Sequence, residues 1–249
     1  MEMVPLNESR PNPGTVQTEA AYLAGRIQHT LISNALTEGA LDAHVAECLK
    51  FHFHAAMIPP SWVKRASQSL RNSGVHVASF VDFPYGTMTS AGKKYEAAQL
   101  VAEGAEEIDL MPNVGFLLSS MERQYFEDIH GVVEAAGNVP VKIMLELPLL
   151  NSHQRDRAVA LSVEAGVAYV KNASGGAVGV ATPEDIRFLR SVAPAHVGVK
   201  ASGGIKTAQQ VRALLDAGAD LVGTSSGVRI MRELLMETDA ASGGSPSNY

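Results

Sequence analysis

The sequence predicts an α/β protein folded as one closed (β/α)8 barrel, the TIM-barrel architecture, and three observations carry that prediction. The first is a rhythm in which a helical pattern closes on a glycine and a short β-rich run follows. It occurs at Gly74 before VHVASF, Gly104 before AEEIDL, Gly137 before NVPVKIML, Gly166 before VAYV and Gly218 before ADLVG. A glycine just past a helix supplies the left-handed residue that ends it. The first four of these glycines recur about every 30 residues, the length of one strand and one helix with short loops. The second observation is the length, 249 residues, which suits a single barrel. The third is that no glycine-rich dinucleotide fingerprint follows the first strand, which removes the main reason to prefer an open, doubly wound sheet.

The elements follow in order. Residues 1–15, containing PLNESRPNPGT, are polar and proline-rich and read as a flexible leader. Strands are expected at 28–32, 55–58, 76–81, 107–110, 141–145, 168–170, 197–199 and 220–222. Helices fall between them, among others at 97–103, 122–136, 154–165, 183–192 and 207–217. Thr182-Pro183 and Lys206-Thr207 are good helix starts, with a capping hydroxyl in both and proline at the first helical position in one. The barrel spans 16–238, and the closing segment 239–249, DAASGGSPSNY, reads as a second flexible tail.

Composition narrows the function classes. The formal charge is −6 with no dense basic stripe, which argues against a nucleic-acid surface but leaves room for an anionic small molecule at a local positive site. No apolar run approaches the ~18 residues of a spanning helix, and the amino terminus shows no signal-peptide pattern, so no membrane partner is expected. The single cysteine, Cys48, cannot form an internal disulfide. A cytoplasmic location is the default expectation.

In such a barrel, reactive groups come from the C-terminal ends of the strands. Those ends offer Asp109 (EEIDL), Glu146 (KIMLE), Lys171 (GVAYVK) and Lys200 (HVGVK). A lysine at an apolar strand end is partly desolvated, and a second ammonium nearby further favours the neutral amine. A neutral amine attacks a carbonyl, and the iminium that results is an electron sink for carbon–carbon cleavage. Lys171 and Lys200, on adjacent strands, therefore read as nucleophile and tuning partner; the bland alternative is that each snorkels to solvent. Asp109 is either a proton relay or a plain ion-pair partner, and Glu146 has the same two readings.

The loops ASGGIKT and GTSSGV after strands seven and eight open onto helix amino termini, where backbone N–H groups favour a phosphate. Gly203, Gly204, Gly223, Ser225 and Ser226 are the candidate anion contacts, with Lys206 adding charge. His52 and His54 in FHFHAA would share a strand face by the period of two, a conceivable metal pair with no third ligand in sight. AVGVA around Gly179 reads as a loop, and Trp62 and the methionines as packing.

Taken together, HTL at 29–31, FPYG at 83–86, EIDL at 107–110, YVKNASGG at 169–176, VGVKASGGIKT at 197–207 and VGTSSG at 222–227 resemble the deoxyribose-phosphate aldolase family. The similarity runs over residues 26–230. It implies a class I aldolase, an aldehyde-lyase that reversibly cleaves 2-deoxyribose 5-phosphate into acetaldehyde and glyceraldehyde 3-phosphate, in carbohydrate catabolism. It further implies Lys171 as the Schiff-base lysine, Lys200 as its neighbour, Asp109 in proton relay, and no metal or organic cofactor. Gly203, Gly204, Ser225 and Ser226 would hold the phosphate, the terminal Tyr249 would reach the site as a proton-transfer group, and the chain would be a homo-oligomer.

The chain departs from the family pattern at Gln28, where an aspartate is usual, and at Met57, Pro59, Leu147, Asn172, Ala173 and Gly176. These changes are expected to face the pocket and make it more apolar around Met57, Leu147 and Ala173. The residues alone leave open an aldolase with a different carbonyl substrate in a biosynthetic pathway, and a non-catalytic sugar-phosphate-binding barrel.

Overall fold

A computed structural model describes residues 16–175 and 177–242; the leader, Gly176 and the segment from 243, with Tyr249, lie outside the described residues. Eight parallel strands pair in sequence order and close on themselves: β1 (Ile27–Thr30), β2 (Ala55–Met57), β3 (His76–Val81), β4 (Glu107–Leu110), β5 (Val141–Met144), β6 (Tyr169–Lys171), β7 (Gly198–Ser202) and β8 (Leu221–Thr224). Helices surround them: α1 (Val16–Ala24), α2 (Glu38–Phe51), α3 (Val63–Ser69), α4 (Ser90–Glu103), α5 (Val114–Leu118), α6 (Glu122–Ala136), α7 (Ser152–Glu164), α8 (Pro183–Val192), α9 (Ala208–Asp216) and α10 (Gly227–Ser242).

The expected punctuation is in place. Gly74, Gly104, Gly137, Gly166 and Gly218 all have positive φ, and Thr182 and Thr207 accept the N-terminal amides of α8 and α9 through their hydroxyls. The ranges of β3, β4, α6 and α8 are those expected. Strands β6 and β7 reach further than their short apolar runs suggested, so Lys171 and Lys200 lie within strands and are direct register partners. Helix α4 starts at Ser90, with Thr89 as its cap, where a polar stretch gave no helical signal. Helix α10 continues to Ser242, into the segment read as tail.

One reading is corrected. His52 and His54 do not share a strand face: His52 is the left-handed C-cap of α2, with φ 53°, and β2 begins only at Ala55. The α-helical pattern of α2 runs to Phe51 and places the turn between the two histidines.

Alternate strand residues point inward, and the barrel interior divides into two walls. Ala55, Met57, Ala78 and Phe80 from β2 and β3 form an apolar wall with Phe83 packed against it. Gln28, Glu107, Asp109, Lys142, Lys171 and Lys200, from β1 and β4 to β7, are all buried and form a polar wall opposite.

Candidate active site

Pairing of β6 with β7 sets Lys171 beside Lys200, and pairing of β3, β4 and β5 brings Asp109 level with Phe80 and Lys142. Both lysines donate to one oxygen: Lys171 Nζ lies 2.9 Å and Lys200 Nζ 2.6 Å from Asp109 Oδ2. Asp109 Oδ1 has no hydrogen-bond partner; Lys142 Nζ stands 3.7 Å away. Below this trio, Lys142 Nζ is 2.5 Å from Glu107 Oε2 in an ion pair, and His54 Nε2 is 2.7 Å from Glu107 Oε1. Gln28 joins the two levels, donating through Nε2 to Glu107 and accepting from Lys200 at Oε1.

Three lysines thus share two carboxylates, all of them buried side chains. Burial brings Lys200 down to about 7; the adjoining ammonium groups of Lys171 and Lys142 push the same way, and Asp109 only partly opposes it. For Asp109, burial alone favours the neutral acid, yet Lys171, Lys200 and Lys142 outweigh it and hold the carboxyl well below the usual carboxylate range. Glu107 follows the same logic, with Lys142 and His54 outweighing burial. The arrangement therefore contains a fixed carboxylate and an amine poised to gain or lose a proton near neutrality.

A cavity opens above the trio, lined by Ile32, Met57, Phe80 and Phe83 on one side and by Lys171, Lys200 and Asp109 on the other. It continues into a hollow lined by Gly203, Gly204, Lys206, Gly223, Ser225 and Ser226. The candidate phosphate residues are therefore brought together, next to the lysines. The glycines have distinct steric reasons. A Cβ on Gly203, at φ +109°, would stand 2.4 Å from the Gly179 carbonyl oxygen, and one on Gly223 would press on the Lys200 side chain at 3.2 Å. The loop around Gly179 thus buttresses the β7 loop, with the Ala181 N–H donating to the Gly203 carbonyl. The Ser226 amide is committed to the Thr224 hydroxyl at 2.9 Å, which leaves the serine hydroxyls and the α10 terminus facing the hollow.

Other expectations divide. Glu146 adopts a left-handed conformation after β5 and accepts from the Ser174 amide at 2.5 Å; burial raises its pKa, and Ser174 only partly opposes this. It ties the β5 and β6 loops together. Of the departures expected to face the pocket, Met57 does so. Leu147 and Ala173 are wholly buried and do not line the cavity at the lysines. Asn172 clamps the β7 backbone instead, accepting from the Ser202 amide at 2.8 Å and donating to its carbonyl at 3.0 Å.

Sequence reasoning missed Lys142 and Glu107. Both sit at inward positions of strands that were placed correctly, and the period of two from Asp109 would have pointed to Glu107.

This geometry agrees with comparisons to known proteins. Residues 28–235 match the model of the DeoC/LacD family aldolase. The chain belongs to that aldolase family. Among curated relatives, deoxyribose-phosphate aldolase of Staphylococcus carnosus is 37% identical over 213 residues, covering 86% of this chain and 97% of the relative. That of Coprothermobacter proteolyticus is 39% identical over 211 residues, covering 85% and 96%. Among solved structures, the tetrameric deoxyribose phosphate aldolase from Aeropyrum pernix superposes with a TM-score of 0.79 at 30% identity, over 89% of this chain and 97% of that one. As a member of this aldolase family, the chain keeps the closed barrel over nearly the full length of its relatives.

Proposed function

We propose that this chain catalyses the reversible aldol cleavage of 2-deoxyribose 5-phosphate to acetaldehyde and glyceraldehyde 3-phosphate through a Schiff base on Lys171. The observation that carries the reading is the pair of register-matched lysines converging on one oxygen of Asp109 at the cavity floor. Lys171 passes a proton to Lys200 and adds as the free amine to the C1 aldehyde, and loss of water from the carbinolamine gives the iminium. The C3 hydroxyl then gives up its proton, the C2–C3 bond breaks, and its electron pair is taken up by the iminium as an enamine. Glyceraldehyde 3-phosphate leaves; protonation of the enamine carbon and hydrolysis release acetaldehyde and restore the amine. Lys200, near half-protonation at neutral pH, and Asp109, held ionised, are the groups within reach to move these protons. Gly203, Gly204, Gly223, Ser225 and Ser226, with Lys206, take the phosphate at the loops preceding α9 and α10.

The wider expectations go with this reading. The names of the relatives support a sugar-phosphate substrate. The tetrameric relative supports a homo-oligomer, and the free, buried Cys48 fits the reducing cytoplasm. No described helix is long and apolar enough to cross a membrane. A different carbonyl substrate is less favoured, because Leu147, Ala173 and Asn172 serve packing and loop clamping and leave Met57 as the apolar change at the cavity.

The test is borohydride reduction in the presence of acetaldehyde or deoxyribose 5-phosphate, followed by whole-protein mass spectrometry and a cleavage assay. An adduct in the wild type that is absent from Lys171→Ala, together with cleavage of deoxyribose 5-phosphate, is the expected result. An adduct at another lysine, or none with either compound, overturns it.

A further inference from the structure

The amino-terminal end of the barrel, opposite the aldol cavity, brings two histidines beside Glu107, the lower carboxylate of the polar wall. His54, just before β2, and His76, the first residue of β3, are neighbours because the His76 amide donates to the His54 carbonyl at 3.0 Å. Their rings lie 5.2 Å apart, tilted by 35°. Glu107 reaches the same place from β4, its Oε1 2.7 Å from His54 Nε2. One ligand atom from each of the three residues lies within 4.8 Å of the others.

We propose that His54, His76 and Glu107 form a binding site for a divalent transition metal, zinc by the character of its donors. Two imidazoles and a carboxylate are a set that zinc accepts with three protein ligands, keeping a fourth position for water. With bonds of about 2.1 Å, ligands on a tetrahedral ion stand about 3.4 Å apart, so His54 and Glu107, now 2.7 Å apart, must open slightly to admit the ion while His76 closes on it. His76 can supply that movement, because its side chain is about half exposed and is held, besides the His54 ring, only by a long 3.8 Å contact of its Nδ1 with the exposed Glu106 carboxylate. Glu107 is already aimed. Lys142 and Gln28 both engage Oε2, which fixes the carboxylate and leaves Oε1 turned to the histidines. Partners of this kind orient a ligating group in metal sites generally. The Lys142 ammonium also repels a bound cation, which weakens the site without blocking it, since the carboxylate lies between them. Access comes from the surface hollow at the base of β3, lined by Arg71, Gly74, Glu106 and His76.

A second cluster, His29, His44 and Glu47, offers a comparable set between β1 and α2. There both histidines are buried and their rings stack at 4.5 Å and 27°, so neither has the exposed, movable ring that His76 offers. It is the rival that the experiment must distinguish.

Full-length protein stripped with chelator is titrated with zinc by calorimetry, alongside His76→Ala, His54→Gln and His44→Ala. One zinc per chain is expected, with affinity reduced at least tenfold in His76→Ala and His54→Gln and retained in His44→Ala. An anomalous-scattering peak between His54 and His76 in zinc-soaked crystals is the independent readout, and it decides the matter should His54→Gln fail to fold. Absence of saturable binding, binding untouched by His76→Ala, or binding lost only in His44→Ala overturns the proposal.

Discussion

Lys93 and Lys200 are both fully buried, and both meet an aspartate at 2.6 Å, yet the two regions do opposite things. Lys93 lies on α4, outside the barrel, where its three donors are matched by three acceptors: Asp128 Oδ2, the Gly86 carbonyl and the Met111 carbonyl, the latter two at 3.1 Å. Asp128 is satisfied in turn by the Ser90 hydroxyl and the Asn113 amide. Asp82 Oδ2 stands 3.4 Å from the same Lys93 ammonium as a second carboxylate, so this cluster, which pins the loops after β3 and β4, has no surplus of cations. Inside the barrel, Lys200 shares Asp109 with Lys171 while Lys142 presses from below, and Asp109 Oδ1 goes without a hydrogen bond. A buried lysine whose charge and donors are all matched holds structure. One in a cluster with surplus cations is pushed toward losing its proton, which is what amine chemistry needs.

The largest effect that sharpens this contrast is at the interior. Lys171→Ala is expected to lower the cleavage rate by at least about a thousandfold, since it removes the nucleophile, while circular dichroism stays native. Lys93→Met is the mirror experiment. Leaving Asp128 buried without its cation should cost about 3–5 kcal/mol of stability, read as a lower urea midpoint, with the Schiff base still forming in the protein that remains folded. If Lys93→Met abolished the adduct in folded protein, the division between the two clusters would fail.

Titration comes next. Carbon-13 labelled lysine should report Lys200 changing charge near pH 7, and Asp109→Asn should move that midpoint down by about 1 to 3 pH units, because the carboxylate supports the ammonium form. The same displacement has a consequence for stability. Between about 7 and the ordinary 10.5, the unfolded chain keeps a proton on Lys200 that the folded chain has released. The contribution of this group to stability therefore rises with pH across that window, and Lys200→Met should flatten the slope. The smallest effect is Ser90→Ala, which removes one hydrogen bond to Asp128 Oδ1 and should cost about 1 kcal/mol with activity unchanged.

Local signals made much of this protein legible in its sequence. The glycine after each helix, the capping Thr182 and Thr207 and the strand runs at β3 and β4 are short-range features, and each requires only its own neighbours to form. The same holds for Lys171, Lys200 and Asp109, whose places on strands follow from the chain's own rhythm. The tertiary structure decided what those residues share. Nothing local states that Lys142 pairs with Glu107 beneath them, that Gln28 bridges the two levels, or that Lys93 belongs to a separate cluster. Leu147 and Ala173 show the converse, since a position after a strand end does not say whether a side chain faces the cavity or the packing behind it. Backbone propensity and capping are properties of a few consecutive residues, whereas charge balance and desolvation at the lysines depend on groups as distant in the chain as Gln28 and Lys200, 172 positions apart. Closing the barrel sets those distances.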